Sequence, residues 1–186
     1  MKFIKTGLIA SLLTMAGVAH ADNDAALSLM ALQSGNTSLV ELAPEVRKVS
    51  KGVVTEIELD DYRDQTFAFQ FKVVDIAEGY EHEMKYSVQD GSLLKHETES
   101  LTTLGFSDLD QEDKVAIEQV QKANFDIIDK IVELETKYNA NMIEAELENK
   151  KGIVFYEVEL ASAETGHQKL LINVATGEEI PKLKRK

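Results

Sequence analysis

The chain has no cysteine. Disulfides therefore add nothing to its stability, even in an oxidising compartment, and thiolate catalysis and cysteine metal clusters are excluded. Tryptophan is also absent, proline occurs twice, and aromatic residues make up 6%. Basic residues are scarce: 20 Lys and Arg stand against 33 Asp and Glu, for a formal net charge of −13. Such a surplus repels nucleic acid and anionic lipid. It suits a basic partner or cations, and it also serves solubility. What remains is 44% hydrophobic residues, enough to build a core by burial alone.

Long apolar runs are missing too. The run from Gly7 to Ala19 has 13 residues, short of the roughly 20 that span a bilayer. It follows Lys2 and Lys5 and ends in the small-residue site Ala19-His20-Ala21. This is the pattern of a Sec-type signal peptide over residues 1–21. The expected mature chain starts at Asp22, has 186 − 21 = 165 residues, and reaches a charge of −15 on losing Lys2 and Lys5. The expected location is the periplasm, with no stable membrane insertion after cleavage. Without a cysteine there is no site for lipoprotein processing.

Catalytic motifs are equally sparse. The sequence has no G-x-S-x-G, no G-x-G-x-x-G, no G-x-x-x-x-G-K-[ST] and no H-E-x-x-H. Acyl transfer, nucleotide binding and zinc peptidase chemistry therefore lack their signatures. The reading is a protein that is not an enzyme, with no cofactor and no metal. Three histidines follow the signal segment: His82, His96 and His167. His82 and His167 each open a strand signal, which invites a paired metal site. Counting back from Val88 and Val174 puts them six and seven residues away, so the two-residue period places them on opposite faces. "DLDQED" (Asp108 to Asp113) resembles the start of a calcium loop but lacks the glycine at position six and the glutamate at position twelve. Acids at a helix start explain it more simply.

The strongest signal is a repeat. "VQDGSLL" (Val88 to Leu94) aligns with "VATGEEI" (Val174 to Ile180) at an offset of 86. Upstream, "TFAFQFKVV" meets "IVFYEVEL" at an offset of 87, and "EIEL" (Glu56 to Leu59) meets "EAEL" (Glu144 to Leu147) at 88. The offset changes by one at each connection, where an insertion leaves strand faces intact. Each copy holds three alternating strand signals: Val53–Asp60, Thr66–Val74 and Glu81–Gln89, then Asn141–Glu148, Gly152–Ala161 and His167–Val174. Short polar connections make them antiparallel hairpins. "SLLKHET" and "EEIPKLK" offer a fourth, edge strand.

A helical segment precedes each sheet. Val120, Ile127, Ile131, Leu134 and Tyr138 lie on one helical face, and so do Leu32, Leu39, Ala43 and Val46. Ser38 with Glu41 forms a candidate capping box. Asp126 occupies the equivalent position, where the second helix can restart. Asp110 is a further N-cap candidate, and Pro44 is expected to kink or delay the first helix. "ESLTTLGFSDLDQ" (Glu99 to Gln111) reads as a linker that lies on the surface through Leu101, Leu104 and Phe106.

The expected fold is α+β, with two tandem modules of a helical segment on a three- to four-stranded antiparallel sheet. The boundaries are 22–98 and 112–186, with 99–111 between them. The modules are expected to dock together, with Ile153 and Phe155 near the contact or on a binding surface. Glu56, Glu58, Glu144 and Glu146 alternate with apolar residues. They read as the solvent face of half-buried strands, or as an acidic strip for a cation or a basic partner.

The order helix, "VVTEIELDDYRDQTFAFQFKVVD", "HEMKYSVQDGSLLK", and again "MIEAELENKKGIVFYEVELAS", "HQKLLINVATGEEIPKL" resembles the PepSY domain family. "VFYEVEL" and "NVATGEEI" carry the likeness best. The resemblance covers about Leu39–Glu97 and Ile127–Leu183. It implies no catalytic motif. PepSY domains occur in propeptides of thermolysin-type metallopeptidases, where they are proposed to restrain the peptidase. They also occur alone in small exported bacterial proteins. No peptidase domain follows here, so inhibition or modulation of an envelope peptidase would act in trans, on a protein or peptide partner. The alternative is a periplasmic sensor of a small ligand or cation.

Overall fold

A computed structural model describes residues 32, 35–63, 66–104 and 106–181. The expected signal segment, residues 1–21, and the basic C-terminal "KLKRK", residues 182–186, lie outside the described residues. Elements run in the order α1 (Leu39–Val49), β1 (Val53–Tyr62), β2 (Thr66–Asp75), β3 (Tyr80–Ser87), β4 (Leu93–Ser100), β5 (Thr102–Thr103), β6 (Phe106–Ser107), α2 (Gln111–Ala123), α3 (Ile127–Tyr138), β7 (Asn141–Lys150), β8 (Ile153–Ser162) and β9 (Gly166–Asn173). Among the described residues the fold is α+β, with one seven-stranded antiparallel sheet, the two-stranded β5–β6 hairpin and these three helices. The strand order of the larger sheet is β4-β3-β2-β1-β7-β8-β9.

The helices start where local chemistry directs. Glu41 reaches back to the backbone N–H of Ser38, which donates to its carboxylate at 2.9 Å. Asp110 accepts from Glu112 N at 2.7 Å and Asp113 N at 2.9 Å. Asp126 accepts from Ile128 N at 2.9 Å and Asp129 N at 3.2 Å. Each satisfies donors that a first helical turn leaves free. The acids around Asp110 thus belong to a helix start. Between α2 and α3 the chain turns at Asn124, in the left-handed region with φ 50°. Pro44 sits inside α1 but does not delay it, since the helix begins at Leu39 immediately after its cap.

All three helices cover one face of the sheet. Leu39, Leu42, Val46, Ile117, Ile128, Ile131 and Leu134 pack with Ile57, Phe69, Phe71, Met84, Ala145, Tyr156, Val158 and Ile172 in one core cluster. Alternation explains the choice: Phe67, Phe69, Phe71 and Val73 fall on one side of β2, and Val154, Tyr156, Val158 and Leu160 on one side of β8. The other face, which no described helix covers, carries Glu, Lys and Gln in those strands.

Two local features recur at the spacings that align the sequence. The β1 ladder shifts register between Val54 and Glu56, and the β7 ladder between Met142 and Glu144, 88 positions on. Gly91 and Gly177, 86 apart, have φ of 69° and 70°. Each donates its N–H four residues back, to Ser87 O at 2.9 Å and Asn173 O at 2.8 Å. Glycine reaches this conformation without steric cost.

Three expectations need correction. Ile153 and Phe155, expected near the contact between the halves or on a binding surface, are not at that contact. The halves join edge to edge, β1 against β7, and neither residue is in that ladder. The two tails differ: Leu93–Ser100 is a full edge strand, whereas Glu179 makes an isolated bridge to Ile172. A proline two residues on, lacking a donor, fits such an early stop. In the connecting segment Leu101 packs, but Leu104 and Phe106 stand in solvent on the small β5–β6 hairpin.

Candidate functional site

The β1–β7 seam decides the chemistry of the uncovered face. Its register pairs Glu56 with Glu146, Ile57 with Ala145, and Glu58 with Glu144. Under the 88-residue offset Glu56 corresponds to Glu144 and Glu58 to Glu146, so the ladder is symmetric about Ile57 and Ala145. A strand that meets its own look-alike antiparallel puts its outward residues opposite the same residue type. Ile57 and Ala145 are fully buried on the helix side. The price on the other side is glutamate facing glutamate, each such pair costing roughly 0.2–1 kcal/mol if uncompensated.

The next strand extends the cluster. Glu144 pairs with Glu159, and Glu146 with Glu157, across β7 and β8. Six carboxylates therefore occupy adjacent positions on three neighbouring strands. Cations line the flanks. Lys72 reaches Glu56 at 2.6 Å. Lys169 reaches Glu157 at 2.7 Å and Glu159 at 2.6 Å. Lys85 reaches Asp60 at 3.0 Å. His167 Nε2 lies 2.6 Å from Glu159.

The middle of the cluster is less well compensated. Burial, then the charges of Asp60 and Glu56, push the Glu58 carboxyl above its ordinary value. Burial, then Glu159, Glu58 and Glu146, push Glu144 up to about 7, with Lys169 pulling the other way. These are the two responses expected of a carboxyl that loses water and gains like charges.

The structure thus brings together the four glutamates singled out in the sequence. Ile153 and Phe155 share their face but differ in access. Ile153 is 53% exposed beside the β7–β8 turn, whereas Phe155 is 5% exposed, with the Lys150 ammonium 5.5 Å from its ring centroid. Glu157, Glu159, Lys72 and Lys169 belong to the same array. Alternation marked their face, but only strand order makes them neighbours. His82 and His167 fall on opposite faces: His82 beside Met84 on the helix side, His167 bonded to Glu159 on the other.

A cleft of about 550 Å³ lies between α1, the α2–α3 connection and β1. Val46, Val120, Ile127 and Ile128 in its lining are at most 3% exposed, so its apolar floor is already sealed by its neighbours. Arg47 spans it to Asp126 and Asp129. Among the described residues no group of three His, Asp or Glu converges on a metal position, and no helix is long and apolar enough to cross a membrane.

No protein-family model matches the chain, and no curated protein matches it. Among solved structures, the crystal structure of a putative lipoprotein from Clostridium difficile 630 is similar at 14% identity and a TM-score of 0.42, covering 79% of this chain and 92% of that one.

Proposed function

We propose that the chain is an exported, non-enzymatic binding protein that captures a Lys- or Arg-rich segment of a protein partner on the uncovered face of its sheet. The observation that carries this reading is the convergence of Glu56, Glu58, Glu144, Glu146, Glu157 and Glu159 about the β1–β7 seam. An unpaired cationic side chain placed over Glu58 and Glu144 would relieve their mutual repulsion. The array would therefore gain electrostatic energy on binding as well as steer the encounter.

Two tandem PepSY-like modules, 22–98 and 112–186 joined by 99–111, are part of this reading. The paired register shifts 88 residues apart and the paired glycine turns 86 apart support it. Modulation of an envelope peptidase in trans follows as the specific form. The alternative, a sensor of a small ligand or cation in the cleft at Arg47, draws on the cleft's position; its sealed floor weighs against it.

Calorimetric titration of the mature chain with an oligo-arginine peptide tests the reading. Saturable binding that weakens with salt and is lost in the Glu56/Glu58/Glu144/Glu146→Gln variant is the expected result. Equal binding by the variant would remove the face from consideration. No binding by either, with a small molecule co-purifying, would favour the sensor.

A further inference from the structure

Among the described residues one buried side-chain nitrogen or oxygen has no hydrogen-bond partner: His82 Nε2. His82 lies on β3 and is 7% exposed. Its other nitrogen, Nδ1, is 3.3 Å from His96 Nε2 on the edge strand β4. Thr98 Oγ1 is 3.4 Å from that same Nδ1 and 3.4 Å from His96 Nε2. The register sets this up: His82 pairs with Thr98 and Met84 with His96, so all three groups share one side of the two strands.

The ring centroids are 5.5 Å apart and the facing nitrogens 3.3 Å. The rings therefore approach through their nitrogen edges. Two facing imidazole nitrogens can share one proton, and a single metal ion can take that proton's place. The three donors form a nearly equilateral triangle with sides of 3.3, 3.4 and 3.4 Å. A tetrahedral centre with bonds of about 2.0–2.1 Å has donor–donor edges of about 3.3–3.4 Å. The triangle matches one face of such a tetrahedron.

We propose that His82 Nδ1, His96 Nε2 and Thr98 Oγ1 bind a borderline divalent transition-metal ion of the Zn²⁺ or Cu²⁺ class, with water at the fourth position. Two imidazoles select such ions over Ca²⁺ and Mg²⁺, which demand oxygen-rich shells. His96 and Thr98 are exposed, which gives the ion its way in and leaves the water position open. The facing nitrogens lie nearly on the line between the ring centroids, so both rings, buried His82 included, turn to aim their lone pairs at the ion. Binding at Nδ1 fixes the His82 tautomer with the proton on Nε2. That N–H has no carboxylate or carbonyl to hold it, which weakens the site relative to one whose ligand imidazole is so held. The bound ion ties β4 to β3 across the sheet edge. This site is independent of the acidic face.

The test uses the mature chain, stripped with a chelator and titrated with ZnCl₂ and separately with CaCl₂, followed by calorimetry and thermal melting. One equivalent of Zn²⁺ binds, the melting temperature rises, and CaCl₂ does neither. His96→Gln, at an exposed position, folds normally and weakens Zn²⁺ binding at least about tenfold. Thr98→Val weakens it less. His82→Gln is a supporting variant only, since a buried substitution can unfold the chain. Absence of saturable binding at millimolar Zn²⁺ would overturn the proposal. So would undiminished binding in His96→Gln, which would move the ion to surface carboxylates.

Discussion

Replacing Glu144 by glutamine should stabilise the protein at alkaline pH and leave it unchanged at acid pH. Glu144 sits where β1, β7 and β8 meet, opposite Glu58 and Glu159. Its carboxyl is pushed from 4.5 to about 7, first by burial and then by Glu159, Glu58 and Glu146. A raised carboxyl binds its proton more tightly in the folded chain than in the unfolded one. Stability therefore falls as pH rises from 4.5 toward about 7, and the full penalty is present above that value. Taken at face value the displacement opposes folding by about 3 kcal/mol. The side chain is only half-buried, and solvent screening reduces this to about 1 kcal/mol. Glutamine keeps the shape and removes the charge. Urea titrations followed by circular dichroism should show Glu144→Gln more stable than wild type by about 1 kcal/mol at about pH 8. The gain should vanish at about pH 4, where both side chains are neutral. In thermal melts the same gain is about 2–4 °C for a chain of this size. A gain independent of pH, or none at about pH 8, would refute the claim that like-charge crowding at the seam strains the fold.

Other consequences are more local. Asp126→Ala removes the α3 N-cap and both bonds to its first turn, together with one of the two carboxylates that Arg47 reaches; denaturant unfolding should register a loss of about 1–2 kcal/mol. Gly52→Ala would place a Cβ 2.4 Å from the Val74 carbonyl oxygen, a contact with backbone that cannot swing away; the expected cost is about 1–3 kcal/mol, measured the same way. Against the upward pull of burial, Lys137 and Tyr138 hold the Glu179 carboxyl below its ordinary 4.5. Its contribution is therefore present above 4.5 and lost as pH falls through the lower folded value. Glu179→Gln should flatten that acid limb of the stability profile.

Much of the architecture could be read from residue spacing. The two-residue period assigned Phe69, Phe71, Tyr156 and Val158 to the core and Glu56, Glu58, Glu144 and Glu146 to the other face, because a strand has only two faces. Polar residues at helix starts marked Ser38, Asp110 and Asp126, because a first turn must find acceptors for its free N–H groups. Glycine marked the turns at Gly91 and Gly177, because positive φ excludes most side chains. These are local constraints, and one chain segment is enough to express them.

Strand order is not local. Nothing in the spacing of Glu56 or Glu144 says that their strands pair, since an unpaired first strand could equally have been covered by a helix or a second chain. Pairing β1 with β7 buries Ile57 against Ala145 under α2, and that gain places Glu58 beside Glu144. The convergence of six carboxylates follows from that contact together with the β7–β8 pairing. The same holds for His82, His96 and Thr98, which are brought together by the β3–β4 register. By itself the sequence determined which residues face inward and where each element begins, because those depend on period and caps. Only the tertiary structure decided which outward residues became neighbours, because that depends on contacts between segments far apart in the chain.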